Sequence, residues 1–158
     1  MKMSKNMNSK VYARNKRALS DYEIVKKFVA GIMLKGYEVK SIRQGNANLK
    51  DSYIRLKDLE AWIINLYVPL YKHSTVKEYE PRRKRKILLN KKELKELVIA
   101  QDAKKMSIIP LEIYAEGKKI KVEIGTGKGR RQYDKRMKLK ERDLKRQLAS
   151  ELSGKATF

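Results

Sequence analysis

Few residues in this chain are equipped for catalysis or metal binding. Among 158 residues there is one histidine, His73, and no cysteine. That excludes disulfide staples, thiolate zinc sites, iron–sulfur clusters and a Cys nucleophile. His73 lies between Pro69 and Pro81 with no Asp or Ser pattern around it, and reads as a surface loop residue. Neither Asp-x-Asp nor His-Glu-x-x-His spacing occurs, and Glu38, Asp51, Glu112 and Glu123 are scattered acids that only a fold could bring together. No catalytic set, metal site or cofactor is expected. Gly125-Thr126-Gly127-Lys128-Gly129 begins like a phosphate loop, but that motif requires Gly-x-x-x-x-Gly-Lys followed by Ser or Thr at a helix start. Here Gly129 and a basic run follow, so the segment reads as a flexible exit from a last strand, with backbone contact to RNA phosphates as the alternative.

Binding chemistry is abundant instead. Lys and Arg number 40 against 18 Asp and Glu, so the net charge is 40 − 18 = +22. Self-repulsion on that scale opposes compaction unless an acidic partner screens it, and nucleic acid comes first among polyanions. Arg82 to Lys86 are five consecutive cations, expected to lay positive charge along one edge of the body for phosphate contact. Nine tyrosines exceed what a small core needs. Aromatics interleaved with cations are what looped and single-stranded RNA uses for stacking. Tyr133 stands out because its surroundings are polar and basic.

These side chains need a scaffold. Residues 1–14 carry four cations and no acid, and residues 128–158 carry eleven cations and four acids, giving +4 and +7. Neither end holds enough apolar surface to offset backbone ordering, roughly 1–2 kcal/mol per residue. The expected organisation is a basic extension over 1–14, a folded body over 15–127 and a basic tail over 128–158. The longest uncharged stretch, Ala61 to Tyr71, has eleven residues, against about 18 for a membrane span. With no apolar leader near Met1, a cytoplasmic protein without membrane contact is expected. Within the body, strands are predicted at Tyr22–Ala30, Ser107–Ala115 and Lys119–Gly125, with another at Arg85–Leu89. A hairpin joins Ser52–Lys57 to Glu60–Val68 around Asp58, without the Asn-Gly turn that marks the strongest hairpins. A short helix is predicted over Lys35–Arg43. A second runs from Asn90, whose Asn-x-x-Glu pattern forms a cap, to about Lys105. In the tail, Leu144, Leu148 and Leu152 make a stripe one residue wide, so a helix there is expected to need a partner.

A specific string of motifs threads these elements. It comprises Asn15-Lys16-Arg17-Ala18 before Asp21-Tyr22, Glu38-Val39-Lys40-Ser41-Ile42-Arg43, Asn48-Leu49-Lys50-Asp51-Ser52-Tyr53, Leu88-Leu89-Asn90, Lys121-Val122-Glu123-Ile124-Gly125, and Tyr133-Asp134-Lys135-Arg136. In this order and spacing the chain resembles the SsrA-binding family, small protein B. The resemblance implies an OB-like antiparallel β-barrel with two or three short helices and a basic tail that is disordered when free. It further implies a partner of transfer-messenger RNA, binding its tRNA-like domain and delivering it to stalled ribosomes. The other implied partners are 16S rRNA at the small-subunit decoding site and, through the RNA, elongation factor Tu.

Residue by residue, the family pattern places RNA-binding roles on Asn15, Lys16, Arg17, Glu38, Lys40, Arg43, Leu88 and Asn90. For Asn90 a helix cap competes with that role, and for Leu88 a place in the core. In the tail it places decoding-site and mRNA-channel roles on Tyr133, Asp134, Lys135, Arg136, Lys138, Lys140, Arg142, Lys145 and Arg146. One departure bears on the site: relatives often carry Glu where this chain has Val29, so one RNA contact is missing or supplied elsewhere. Two rivals remain, another basic β-barrel RNA-binding protein such as a ribosomal protein, and a nuclease.

Overall fold

The computed structural model describes residues 10–130 and 132–152, with side chains from 10 to 130 and 140 to 150. The chain falls into two units, residues 1–128 and residues 129–158.

In the first unit, strands Val11–Arg14 (β1), Tyr22–Ile32 (β2), Tyr53–Lys57 (β3), Glu60–Ile64 (β4), Arg85–Leu88 (β5), Ser107–Glu116 (β6) and Lys119–Gly129 (β7) form one mainly antiparallel sheet. Its order is β1-β6-β7-β2-β5-β4-β3. Helices Lys16–Asp21 (α1), Gly36–Arg43 (α2) and Lys91–Asp102 (α3) are inserted between strands. The mainly β, antiparallel architecture is as expected. Its ladder does not close, because β1 and β3 remain edges, although the sheet curls enough for β3 to pack against β6. β1 also moves the start of the folded body: residues 11–14, expected in the basic extension, pair with β6 through Val11–Tyr114 and Arg14–Glu112. Four residues are too short for alternation to announce a strand.

Period-two alternation decides what the sheet buries. Ile54 on β3, Ala61 and Ile63 on β4 and Ile87 on β5 point inward to join Phe28, Ile42, Leu66, Leu97, Ile113, Val122 and Ile124 in the main core. A smaller cluster lies under α1, where Ala18 meets Ile109 and Leu111. The register of β6 slips between Pro110 and Glu112. A proline inside a strand is tolerated at such a bulge, since it has no N–H to give the ladder.

The glycine-rich segment after Ile124 is not the flexible exit expected of it. It is the end of β7, which pairs Gly125 with Ile109 and Gly127 with Ser107. A Cβ on Gly127 would lie 3.0 Å from the Glu23 carbonyl oxygen, so these glycines allow β2 to approach closely. The second unit contains helix α4, Gln132–Leu152. Helicity was expected there only on a partner. Leu144 and Leu148 are exposed on it.

Candidate nucleic-acid interface

Helix α2 presents the densest set of expected site residues, and it is anchored by a buried carboxylate. Glu38 is fully buried. Its Oε1 accepts the Lys35 backbone N–H at 2.9 Å, closing the first turn of the helix. Arg83 and Arg85 both donate to it, Arg85 through Nε at 2.5 Å, and the Tyr79 hydroxyl lies at 3.3 Å. Arg85, also fully buried, donates onward to the carbonyls of Leu66 and Pro81. Burial alone pushes the Glu38 carboxyl up. The hydrogen bonds from Arg83 and the Lys35 backbone, with the charge of Arg85, outweigh it and hold the group below its ordinary value. Burial likewise pushes the Tyr79 hydroxyl up to about 12.

This arrangement corrects two expectations. Glu38 does not reach the surface where it could bond RNA; it fastens α2 to β5 and to the loop before it. Nor is Arg82–Lys86 a uniform cationic edge. Arg85 turns inward with the core parity of Ile87, Arg83 joins Glu38, and Lys86 lies 3.1 Å from Glu60. Arg82 and Lys84 remain exposed. On the outer surface of α2, Lys40 and Arg43 are exposed. Lys40 Nζ sits 5.4 Å from the centre of the Tyr71 ring, and Arg43 donates to the Lys118 carbonyl at 3.0 Å.

The remaining body residues fall in two other places. Asn15 is buried, and its amide is committed: Oδ1 accepts from the Ala18 N–H at 3.1 Å and Nδ2 donates to the Pro110 carbonyl at 3.0 Å. It caps α1 and ties it to the bulge in β6, leaving Lys16 and Arg17 as the exposed members of the motif. Arg17 reaches Asp21 at 3.4 Å and Asp51 at 3.9 Å. It lines a cleft of about 510 Å³ with Asp51, Tyr53, Gln101 and Ser107. Leu88 is half exposed at the end of β5, opposite Gly31. Asn90 caps α3: its Oδ1 accepts the Glu93 N–H at 2.8 Å, its backbone N–H donates to Glu93 Oε1 at 3.3 Å, and it remains exposed. Val29 lies on β2 two residues before Gly31.

The structure also sorts the aromatics. Tyr114 is core. Tyr37 meets Tyr79 edge-on, and His73, exposed in its loop as expected, lies edge-on to Tyr71. Arg82 covers Tyr67 at 5.1 Å and Lys84 covers Trp62 at 5.2 Å. These cation–ring pairs were not singled out from the sequence. The signal lay in strand parity, which turns Trp62 outward between the inward-facing Ala61 and Ile63. Lys140, Arg142, Lys145 and Arg146 are exposed on α4. Tyr133, Asp134, Lys135, Arg136 and Lys138 lie within the helix, their side chains outside those described. Among the described residues, no group of three or more acidic or histidine side chains is placed to hold a metal ion. No described helix is long and apolar enough to cross a membrane.

A curled antiparallel sheet bearing cations laid over aromatic rings, with a basic helix as a second unit, defines a class of small basic β-proteins suited to polyanions. Within that class the chain belongs to the SmpB protein family, which it matches over residues 12–154. It is 46% identical over 149 residues to the SsrA-binding protein of Sulfurihydrogenibium sp. (strain YO3AOP1), covering 94% of this chain and 98% of that protein. It is 46% identical over 144 residues to the SsrA-binding protein of Aquifex aeolicus (strain VF5), covering 90% and 92%. It is also similar to a chain in a solved structure described as tmRNA-SmpB on a journey to the centre of the bacterial ribosome. There the identity is 40% and the TM-score 0.64, over 78% of this chain and 90% of that one.

Proposed function

We propose that this protein binds the tRNA-like domain of transfer-messenger RNA and delivers it to stalled ribosomes for trans-translation. Family membership over nearly the whole chain supports the partner. The observation that carries the mechanism is α2, a short helix whose inner side is locked by a buried carboxylate and two arginines while Lys40 and Arg43 stand exposed. Cations on a rigid mount can meet phosphates without any further ordering of the backbone that carries them. Lys16, Arg17, Leu88 and Asn90 extend the RNA-binding set, and Glu38 and Asn15 position it from within.

The tail serves the other partner. A stalled ribosome with an empty decoding site lacks the codon–anticodon duplex. Tyr133 offers a ring to an exposed 16S rRNA base there, Asp134 orients a neighbour, and Lys135 and Arg136 pair with phosphates. Lys138, Lys140, Arg142, Lys145 and Arg146 then spread charge around a helix running into the vacant mRNA channel, whose phosphate walls favour it. Elongation factor Tu joins through the RNA. The role is that of an adaptor without chemistry of its own, acting in the cytoplasm where the ribosomes are.

The test is to purify the protein from its host and sequence the RNA that accompanies it. Transfer-messenger RNA should dominate. Only bulk tRNA or ribosomal RNA would favour a general RNA-binding role, and cleavage of labelled RNA in the presence of Mg²⁺ would favour an enzyme.

A further inference from the structure

The outer face of the β3-β4-β5 sheet carries a cluster that the family pattern leaves without a role. Arg55 on β3 pairs in register with Trp62 on β4, and Trp62 pairs with Lys86 on β5. The indole is therefore flanked by a cation on each neighbouring strand, and the exposed Lys84 lies over its ring. The next row ends on Leu88, since Trp62 faces Lys86 and the parity of β4 and β5 sets Glu60 against Leu88. On the other side Tyr53, 47% exposed, sits in register with Ile64. The face thus holds two aromatic rings and three cations close to Trp62, and it continues to an implied RNA contact at Leu88. Glu60, bonded to Lys86, is the acid among them.

Trp62 is turned away from the buried Ala61 and Ile63 and is partly exposed on the outer face, with Lys84 over its ring. A flat ring at the level of the sheet, ringed by cations, suits an unpaired base: the base stacks on the indole while the displaced ammonium of Lys84 follows a phosphate. We propose that this face is a second RNA-contacting surface, in which Trp62 stacks on an unpaired base of the RNA bound by the Leu88 edge. It rests on the RNA-binding function above and adds to it a preference for unstacked bases over regular duplex.

Trp62 is the only tryptophan in the chain, so its fluorescence reports this site alone. The experiment titrates the intact protein with transfer-messenger RNA, following emission and acrylamide quenching, while filter retention reports binding independently. Static quenching of Trp62 and loss of acrylamide access, both saturating with retention, are expected. Trp62→Ala should weaken retention about 5- to 150-fold, and Trp62→Phe should restore most of it. A native circular dichroism spectrum for both variants excludes misfolding. Retention with unchanged emission and access would overturn this surface while leaving RNA binding standing, whereas absence of retention would overturn RNA binding itself. Equal quenching by polyglutamate would show charge contact alone and overturn base stacking.

Discussion

At the scale of single residues, the decisive fact is that the chain's cations do two different jobs. Arg85 is fully buried on Glu38, and breaking such a pair leaves an uncompensated charge in a low-dielectric interior. Glu38→Gln is therefore expected to cost about 3–5 kcal/mol in urea melts at neutral pH. The pH dependence has a definite sign. Because the folded protein holds the Glu38 carboxyl below its ordinary 4.5, the contribution is fully present above that value and is lost as pH falls through the depressed one. The wild type should lose stability as the solution is acidified through the carboxylate range, and Glu38→Gln should show a shallower acid limb. An equal slope in both proteins would mean the pair is not ionised in the way the geometry requires. Composition announced the surplus of charge but not its division. A run such as Arg82–Lys86 looks uniform in one dimension, and only the parity of β5, with Arg85 and Ile87 on the same side, turns one arginine inward. The cap that Asn15 forms is hidden for a similar reason, since an asparagine that bonds RNA and a cap facing a bulge have the same letters. Its partner carbonyl lies 95 residues away.

At the scale of elements, local signals served well wherever a period or cap was complete. The capped helix α3, the hairpin β3–β4 and the β6–β7 pair all form where alternation and capping predict them, although β4 stops at Ile64, short of the Val68 expected. β7 ran longer than expected because glycine, usually a stop, here marks close approach to β2. The hairpin turn carries a cost. Asp58 and Leu59 both adopt positive φ, 52° and 61°, and Leu59 is 69% exposed, so nothing it packs against repays the strain. Replacing Leu59 with Gly should raise stability by a net of about 0.5–1 kcal/mol, the relief of left-handed strain less the backbone freedom that glycine loses. Thermal melting checks it, and a drop in Tm would show that the turn is not strained. The cap of α3 allows the two roles of Asn90 to be separated. Asn90→Ala should destabilise by about 1 kcal/mol, whereas Asn90→Ser keeps a capping oxygen and should melt close to the wild type. If Asn90→Ser also weakens retention of transfer-messenger RNA, the side chain is bonding RNA as well as capping. If retention is unchanged, capping is its whole contribution.

At the scale of the whole molecule, the question is how +22 is shared between two tasks. Residues 131–158 hold nine cations and four acids, +5, leaving 22 − 5 = +17 on the rest. Most of the electrostatic attraction to RNA therefore stays with the first unit when the tail is removed, as do the exposed cations of α1 and α2 and the face around Trp62. A protein lacking 131–158 should fold, retain transfer-messenger RNA, and keep most of its salt dependence, since each phosphate neutralised contributes about 0.7–0.9 to the log–log slope. The same truncation removes Tyr133 and the cations of α4, so tagging of stalled chains in a reconstituted translation system should fail. The division of labour makes these two outcomes separable, because the buried residues of the main core run from Phe28 to Ile124 and those of the smaller cluster from Ala18 to Leu111, all outside the removed segment. Loss of RNA retention along with tagging would place essential RNA contacts in the tail. Tagging that survives truncation would mean that the first unit alone engages the decoding site.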